Sequence, residues 1–140
     1  LFETYLPGSA WNASRTLTAA TDYEGYDGRK TYAENCAGGY YAARLPILEK
    51  LKGMRRQSSV VVVRFETPEY HTGLGVWVVR SAAQRAMLAS PIECTSKEEL
   101  LATTYQKIKE KFNIDVNQLL SKSKLLQQMK EQVKLTSFFS

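Results

Sequence analysis

Metal donors are scarce in this chain of 140 residues: one histidine, His71, and two cysteines, Cys36 and Cys94, stand far apart. An ordinary structural zinc site needs four nitrogen or sulfur donors, so no metal is expected. Two isolated thiols suit a reducing compartment, and spacing alone leaves open whether they are bridged. Long apolar runs are missing too. No stretch approaches 18 apolar residues, and the first 30 contain no charged start followed by an apolar block, so neither a helical membrane span nor a secretory signal is read and a cytoplasmic location is expected. A nucleophile motif, paired carboxylates at a defined spacing and a glycine-rich phosphate loop of known pattern are all wanting, and no cofactor is expected.

Breakers are also few, with 4 prolines and 8 glycines against 44% apolar residues, the composition of a folded chain. The length suits one domain with a single core. The net charge is +5, unevenly spread. Residues 1–28 carry Arg15 against Glu3, Asp22, Glu24 and Asp27, whereas residues 29–85 carry ten basic side chains against Glu34, Glu49, Glu66 and Glu69. Such a basic middle suits contact with nucleic acid or with an acidic protein surface.

Residues 1–37 are rich in turn formers, with "LPGS" at 6–9 and "DYEGYDGRK" at 22–30, and read as loops with a short strand near 14–20. Tyr41, Leu45, Leu48, Leu51 and Met54 recur at helical spacing, so a helix is expected over 38–54, kinked at or starting near Pro46. "SSVVVVRFETPEY", 58–70, reads as a strand whose valine run should be central and covered on both faces. Residues 74–88 read mostly as helix. Ser96 and Glu99 form a capping box that opens a helix running to Phe112, and Asp115 with Gln118 opens a last helix containing Val116, Leu119, Leu120, Leu126 and Met129, with Ser121 to Lys124 on its solvent side. The expected class is α+β, mostly helical with a small sheet: a basic domain over 1–129, then a flexible docking tail over 130–140.

That tail ends in "QVKLTSFFS". Chain ends are poorly ordered unless tied down, so Leu135, Phe138 and Phe139 would face water unless something covers them. Leu135 and Phe138, three apart, fall on one side of a 3₁₀ turn with Phe139 beside them, a three-pronged apolar plug. Gln132 offers an acceptor and a donor to a polar pocket. Gln132-x-x-Leu135-x-x-Phe138-Phe139 resembles the PIP box by which replication and repair proteins bind the sliding clamp PCNA. The resemblance implies that Gln132 enters a small polar pocket and that Leu135, Phe138 and Phe139 fill the hydrophobic one, with Lys130 and Lys134 flanking. A chance match to all four positions in a chain of this size arises about once in a few hundred. The opposing reading is that the same side chains fold back onto the domain's own core.

A second resemblance covers residues 38–87. "AARLPILEKL", "RRQSSVVVVRF", "TPEY" and "LGVWVVR" are similar to the C-terminal region of the archaeal Nre proteins, a family linked to DNA repair whose members often end in a PCNA-binding motif. Typical members carry a further N-terminal region with a zinc-binding cysteine cluster, which this sequence lacks. The chain also begins at Leu1 rather than Met, as expected of a piece of a longer protein. The resemblance implies a pathway and a partner, and no catalytic residues.

Arg44, Arg55, Arg56, Arg64 and Arg80, with Arg85, make arginine the dominant cation of the middle block. Its planar fork pairs with phosphate, the functional reading, or with neighbouring carboxylates, the structural one. Tyr40, Tyr41, Tyr70 and Trp77 are candidates for base stacking or for the core. "PEYH" places Glu69 and His71 two apart after a strand, where an enzyme acting on nucleic acid or a nucleotide would put a site. "CAGGYY", 36–41, sets two glycines before a helix, able to hold an anion or to form a tight turn. The leading expectation is a DNA-repair accessory protein that docks on PCNA and touches DNA. The alternatives are that enzyme and a plain oligomerisation module.

Overall fold

The structure, a computed structural model, describes residues 1–132. Two compact units divide the chain, one from Leu1 to Ala89 and one beginning at Ser90. No composition shift marks that boundary, which falls within the span expected as one domain, 1–129. Among the described residues the architecture is α+β, with five helices and a small sheet.

In the first unit, β1 (Phe2–Tyr5), β2 (Thr18–Thr21) and β3 (Val63–Glu66) form a sheet in the order β2-β1-β3. β2 runs antiparallel to β1, and β3 runs parallel to it with Glu3 opposite Arg64 and Tyr5 opposite Glu66. The central strand is therefore β1, in a stretch that sequence reads as loop. β3 is an edge strand of four residues and not the long covered strand expected of 58–70. Its only partner among the described residues is β1, itself four residues long, so the rest of the valine run finds no ladder, and Val60 is 40% exposed.

α1 (Ala37–Met54) runs through Pro46, which is buried, and neither ends nor begins there. Proline removes one backbone donor, and the seventeen other helical residues carry the element across that loss. α2 (Val76–Leu88) follows β3 and packs on α1, with Val79 buried on α2 and Ala43 on α1. Ala33, Cys36 and Tyr40 form the centre of a core that Leu1, Ala20 and Tyr41 extend. The start of α1 is capped from a distance. The Asp22 carboxylate accepts the backbone N–H groups of Glu34 (3.3 Å), Asn35 (3.0 Å) and Cys36 (2.6 Å), supplying the acceptors a helix start needs.

In the second unit, α3 (Lys97–Phe112) begins as the sequence predicts. The Ser96 hydroxyl accepts the Glu99 N–H at 3.0 Å, while the Glu99 carboxylate reaches one residue further back and accepts from the N–H and hydroxyl of Thr95, both at 2.7 Å. Those bonds hold the Glu99 carboxyl below its ordinary range. The expected single last helix is broken into α4 (Asn117–Leu120) and α5 (Lys124–Glu131). Ser123, expected on the solvent side, is buried and caps α5 by accepting the Leu126 N–H at 3.3 Å. Serine side chains compete for backbone groups in this way, and the helix yields to a new cap.

Candidate functional site

On β1 and β3, alternate residues share a face, so Glu3, Tyr5, Arg64 and Glu66 lie on one side of the sheet. Arg64 reaches Glu3 at 3.5 Å and Glu66 at 3.4 Å, and the Tyr5 hydroxyl donates to Glu3 at 3.1 Å. Glu66 also accepts the Trp11 N–H at 3.3 Å. Both carboxylates are buried. Burial pushes the Glu3 carboxyl above its ordinary value, and Arg64 opposes that shift. Burial and the neighbouring Glu3 raise the Tyr5 phenol. Arg64 is mostly covered, 15% exposed, and its charge is already matched by two carboxylates, so it organises the sheet. Sequence reasoning named Glu66 as an arginine partner and missed Glu3. The aromatic-polar alternation of Phe2-Glu3-Thr4-Tyr5 was the signal available.

Arg44 is likewise engaged. Its Nε and Nη2 each lie 2.7 Å from the two Glu24 oxygens, a bidentate pair, and the Tyr40 hydroxyl donates to the same carboxylate. The Arg44 fork is the main reason the Glu24 carboxyl stays below its usual range. Tyr40 is buried and its phenol is raised, first by burial and then by Glu24. Tyr41 stacks on Tyr32 at 4.8 Å and edge-on to Tyr40 at 5.2 Å. The Tyr70 hydroxyl accepts the Leu74 N–H at 2.8 Å.

Of the six arginines in the middle block, Arg55, Arg56 and Arg85 are exposed and Arg80 is half-buried, none of the four with an ion-pair partner among the described residues. Arg55 and Arg56 are exposed just past α1, with no side-chain partner among the described residues. Arg55 occupies the left-handed position that ends the helix (φ 52°, ψ 45°), with the Arg56 N–H bonded back to Leu51 at 3.0 Å. Glycine is the usual residue there, and a side chain costs about 1–2 kcal/mol. The chain keeps an arginine at a position that backbone sterics would assign to glycine. Arg80 lies over the Trp77 ring, 5.8 Å from its centroid, and that indole is 70% exposed. Of the four candidate stacking residues, Trp77 alone is mostly solvent-facing; Trp11, 67% exposed, was not among them.

Glu69 and His71 are both exposed on the loop between β3 and α2. The Thr67 side chain and Glu69's own backbone N–H hold the Glu69 carboxyl below its ordinary range, and His71 has no side-chain partner among the described residues. Gly38 and Gly39 lie inside the first turn of α1, where the protein's own carboxylates already stand. A Cβ on Gly39 would fall 2.5 Å from the Glu3 Oε1. These glycines admit close packing. Among the described residues no group of three or more His, Cys, Asp or Glu side chains is arranged to hold a metal ion, and no helix is long and apolar enough to cross a membrane.

Gln132 ends α5 and is exposed, its N–H bonded to Gln128 at 2.9 Å. Leu135, Phe138 and Phe139 lie outside the described residues.

No solved structure matches the chain. Among proteins similar to it, the DNA repair protein NreB of Archaeoglobus fulgidus is 33% identical over 124 residues, 89% of this chain and 30% of that protein. The DNA repair protein NreA of the same organism is 35% identical over 105 residues, 72% of this chain and 27% of that protein. The DNA repair protein NreA of Haloferax volcanii is 39% identical over 88 residues, 61% of this chain and 21% of that protein. The chain thus spans less than a third of the length of these relatives. The model of the family described as archaeal Nre, C-terminal, matches residues 24–138, and the chain belongs to that family.

Proposed function

We propose that this chain is a DNA-repair accessory module recruited to the sliding clamp PCNA by its C-terminal peptide, with surface arginines meeting DNA phosphates. The repair role is supported by the relatives, each a DNA repair protein by name. The observation that carries the recruitment reading is the terminal motif itself, Gln132, Leu135, Phe138 and Phe139. Its polar anchor follows the last helix directly and faces solvent. Such a peptide orders on binding and so binds weakly by itself. The clamp's repeated sites and DNA contacts by the domain would multiply that affinity without new contacts.

For DNA, the geometry favours Arg55, Arg56 and Arg80 over Arg44 and Arg64, whose donors are held by carboxylates. Calorimetric titration of the 140-residue chain with PCNA tests the recruitment. The Phe138→Ala, Phe139→Ala double variant is expected to lose the binding heat while its melting temperature stays within about a degree of wild type. Retained binding refutes the docking role. A large fall in melting temperature would mean that the two rings belong to the domain's own core.

A further inference from the structure

Trp77, Arg80, Ser81 and Gln84 recur at three- and four-residue spacing and so share one face, while Val79 turns inward and is buried. Val76 approaches α1, where a Cβ on Gly38 would meet its Cγ1 at 3.0 Å. The loop leading into α2 carries the second indole. Trp11 rests on the backbone of Gly73, so closely that a Cβ there would lie 2.9 Å from its ring. The Ala10 N–H donates to Tyr70 O at 3.1 Å and the Trp11 N–H to Glu66, tying the two loops together. Gly73 and Trp77 are four positions apart, so their Cα atoms lie within about 14 Å of each other. Leu74, 63% exposed, lies between them.

Charge selects the occupant. Between Tyr70 and Ile92 the chain contains Arg80 and Arg85 and no aspartate or glutamate. Glu66 is buried and paired with Arg64, and Glu69 is exposed on the loop before α2. Exposed aromatic rings with arginine over one of them, on a helix without an acidic residue, suit bases that have lost their stacking partners, since every base offers a π-face and the backbone seeks the cations. A duplex has its bases already stacked and offers these residues only phosphate.

We infer that Trp77 and Trp11, with Arg80, form a stacking platform for unpaired bases of single-stranded DNA. This rests on the reading that the domain touches DNA, and it names the strand form. Ser81 and Gln84, on the same face, supply hydroxyl and amide groups within reach of base edges or phosphates.

The test is fluorescence anisotropy of a fluorescein-labelled oligo(dT) and of a duplex of equal length, each titrated with the 140-residue chain at two salt concentrations. The single strand is expected to bind more tightly. Trp77→Ala should weaken it about tenfold or more, as loss of a stacked base does, and Trp77→Phe should restore most of the affinity. Arg80→Gln should flatten the salt dependence. Circular dichroism melting of Trp77→Ala should match wild type, because the ring lies largely in solvent. Oligo(dT) affinity within twofold of wild type for Trp77→Ala overturns the proposal. So does a duplex bound as well as the single strand and equally sensitive to the change; the face would then belong to a protein partner or act by charge alone. Clamp calorimetry on Trp77→Ala separates the two readings, since docking through the terminal peptide should survive the substitution.

Discussion

Replacing Gly39 by alanine pits two effects of known size against each other. In a helix interior alanine is favoured over glycine by about 1 kcal/mol, so propensity predicts a stabilised α1. The added Cβ would stand 2.5 Å from Glu3 Oε1 and 3.1 Å from its Cδ, well inside ordinary contact. Glu3 cannot swing aside freely, because it is 5% exposed and held by Arg64 at 3.5 Å and Tyr5 at 3.1 Å. Overpacking of this kind costs about 1–3 kcal/mol, and loosening a buried ion pair adds to it. The clash wins: Gly39→Ala should destabilise the first unit by about 2 kcal/mol once the propensity gain is subtracted. For a unit of this size that is a fall of roughly 10 °C in melting temperature. Gly53 lies in the same helix with nothing within 4 Å of a built Cβ, so Gly53→Ala should be neutral to stabilising by up to about 1 kcal/mol. Urea unfolding followed by circular dichroism reads both. In a Glu3→Ala background the cost of Gly39→Ala should shrink, the coupling a shared contact requires. Gly39→Ala as stable as Gly53→Ala would refute the placement of the Glu3 carboxylate against α1.

Arg55→Gly should raise stability by about 0.5–1 kcal/mol by relieving the left-handed residue at the end of α1, while weakening DNA binding and reducing its salt dependence; unchanged DNA affinity would remove Arg55 from the interface. Cys36 is buried and its thiol is pushed up to about 12, first by burial and then by the nearby Glu3 and Asp22 charges, so a thiol reagent at neutral pH should label Cys94 in the native state and Cys36 only on unfolding. Equal labelling rates would contradict that burial. Glu24→Gln should cost about 1 kcal/mol at pH 7, a modest figure because the Arg44 side chain is 41% exposed. The folded Glu24 carboxyl lies below its unfolded value of about 4.3, so its stabilisation is present above that value and is lost as pH falls through the folded one. The gap between wild type and Glu24→Gln should therefore close below about pH 4; a gap independent of pH would refute the pair.

Where local chemistry was strong, the sequence was readable. The Ser96 cap with its Glu99 partner appears where the spacing put it, since both bonds are made within one turn. The α2 helix emerges from a stretch whose valines argue for strand, because the run from Ser81 to Leu88 propagates helix backward to Val76. The 58–70 strand was overestimated for the opposite reason. A valine run states a preference for pairing, and only the length of β1 limits it to four residues. Asp115 reads as a cap in sequence and Ser123 as a residue on the solvent side of one helix, yet Ser123 is buried and starts a second helix.

The candidate site divides the same way. Composition identified arginine as the cation of the middle block, and the terminal peptide is legible as a resemblance because such a motif is defined by its own few side chains. Which arginines remain at the surface was not legible. Glu3 and Arg64 are 61 residues apart, and Glu24 and Arg44 are 20 apart, so only the parallel register of β1 with β3 and the packing of the 22–36 loop on α1 decide that these acids engage two of the six arginines. Pattern along the chain determines what each segment prefers. Burial, which requires partners distant in sequence, decides which charged and aromatic groups are left facing water.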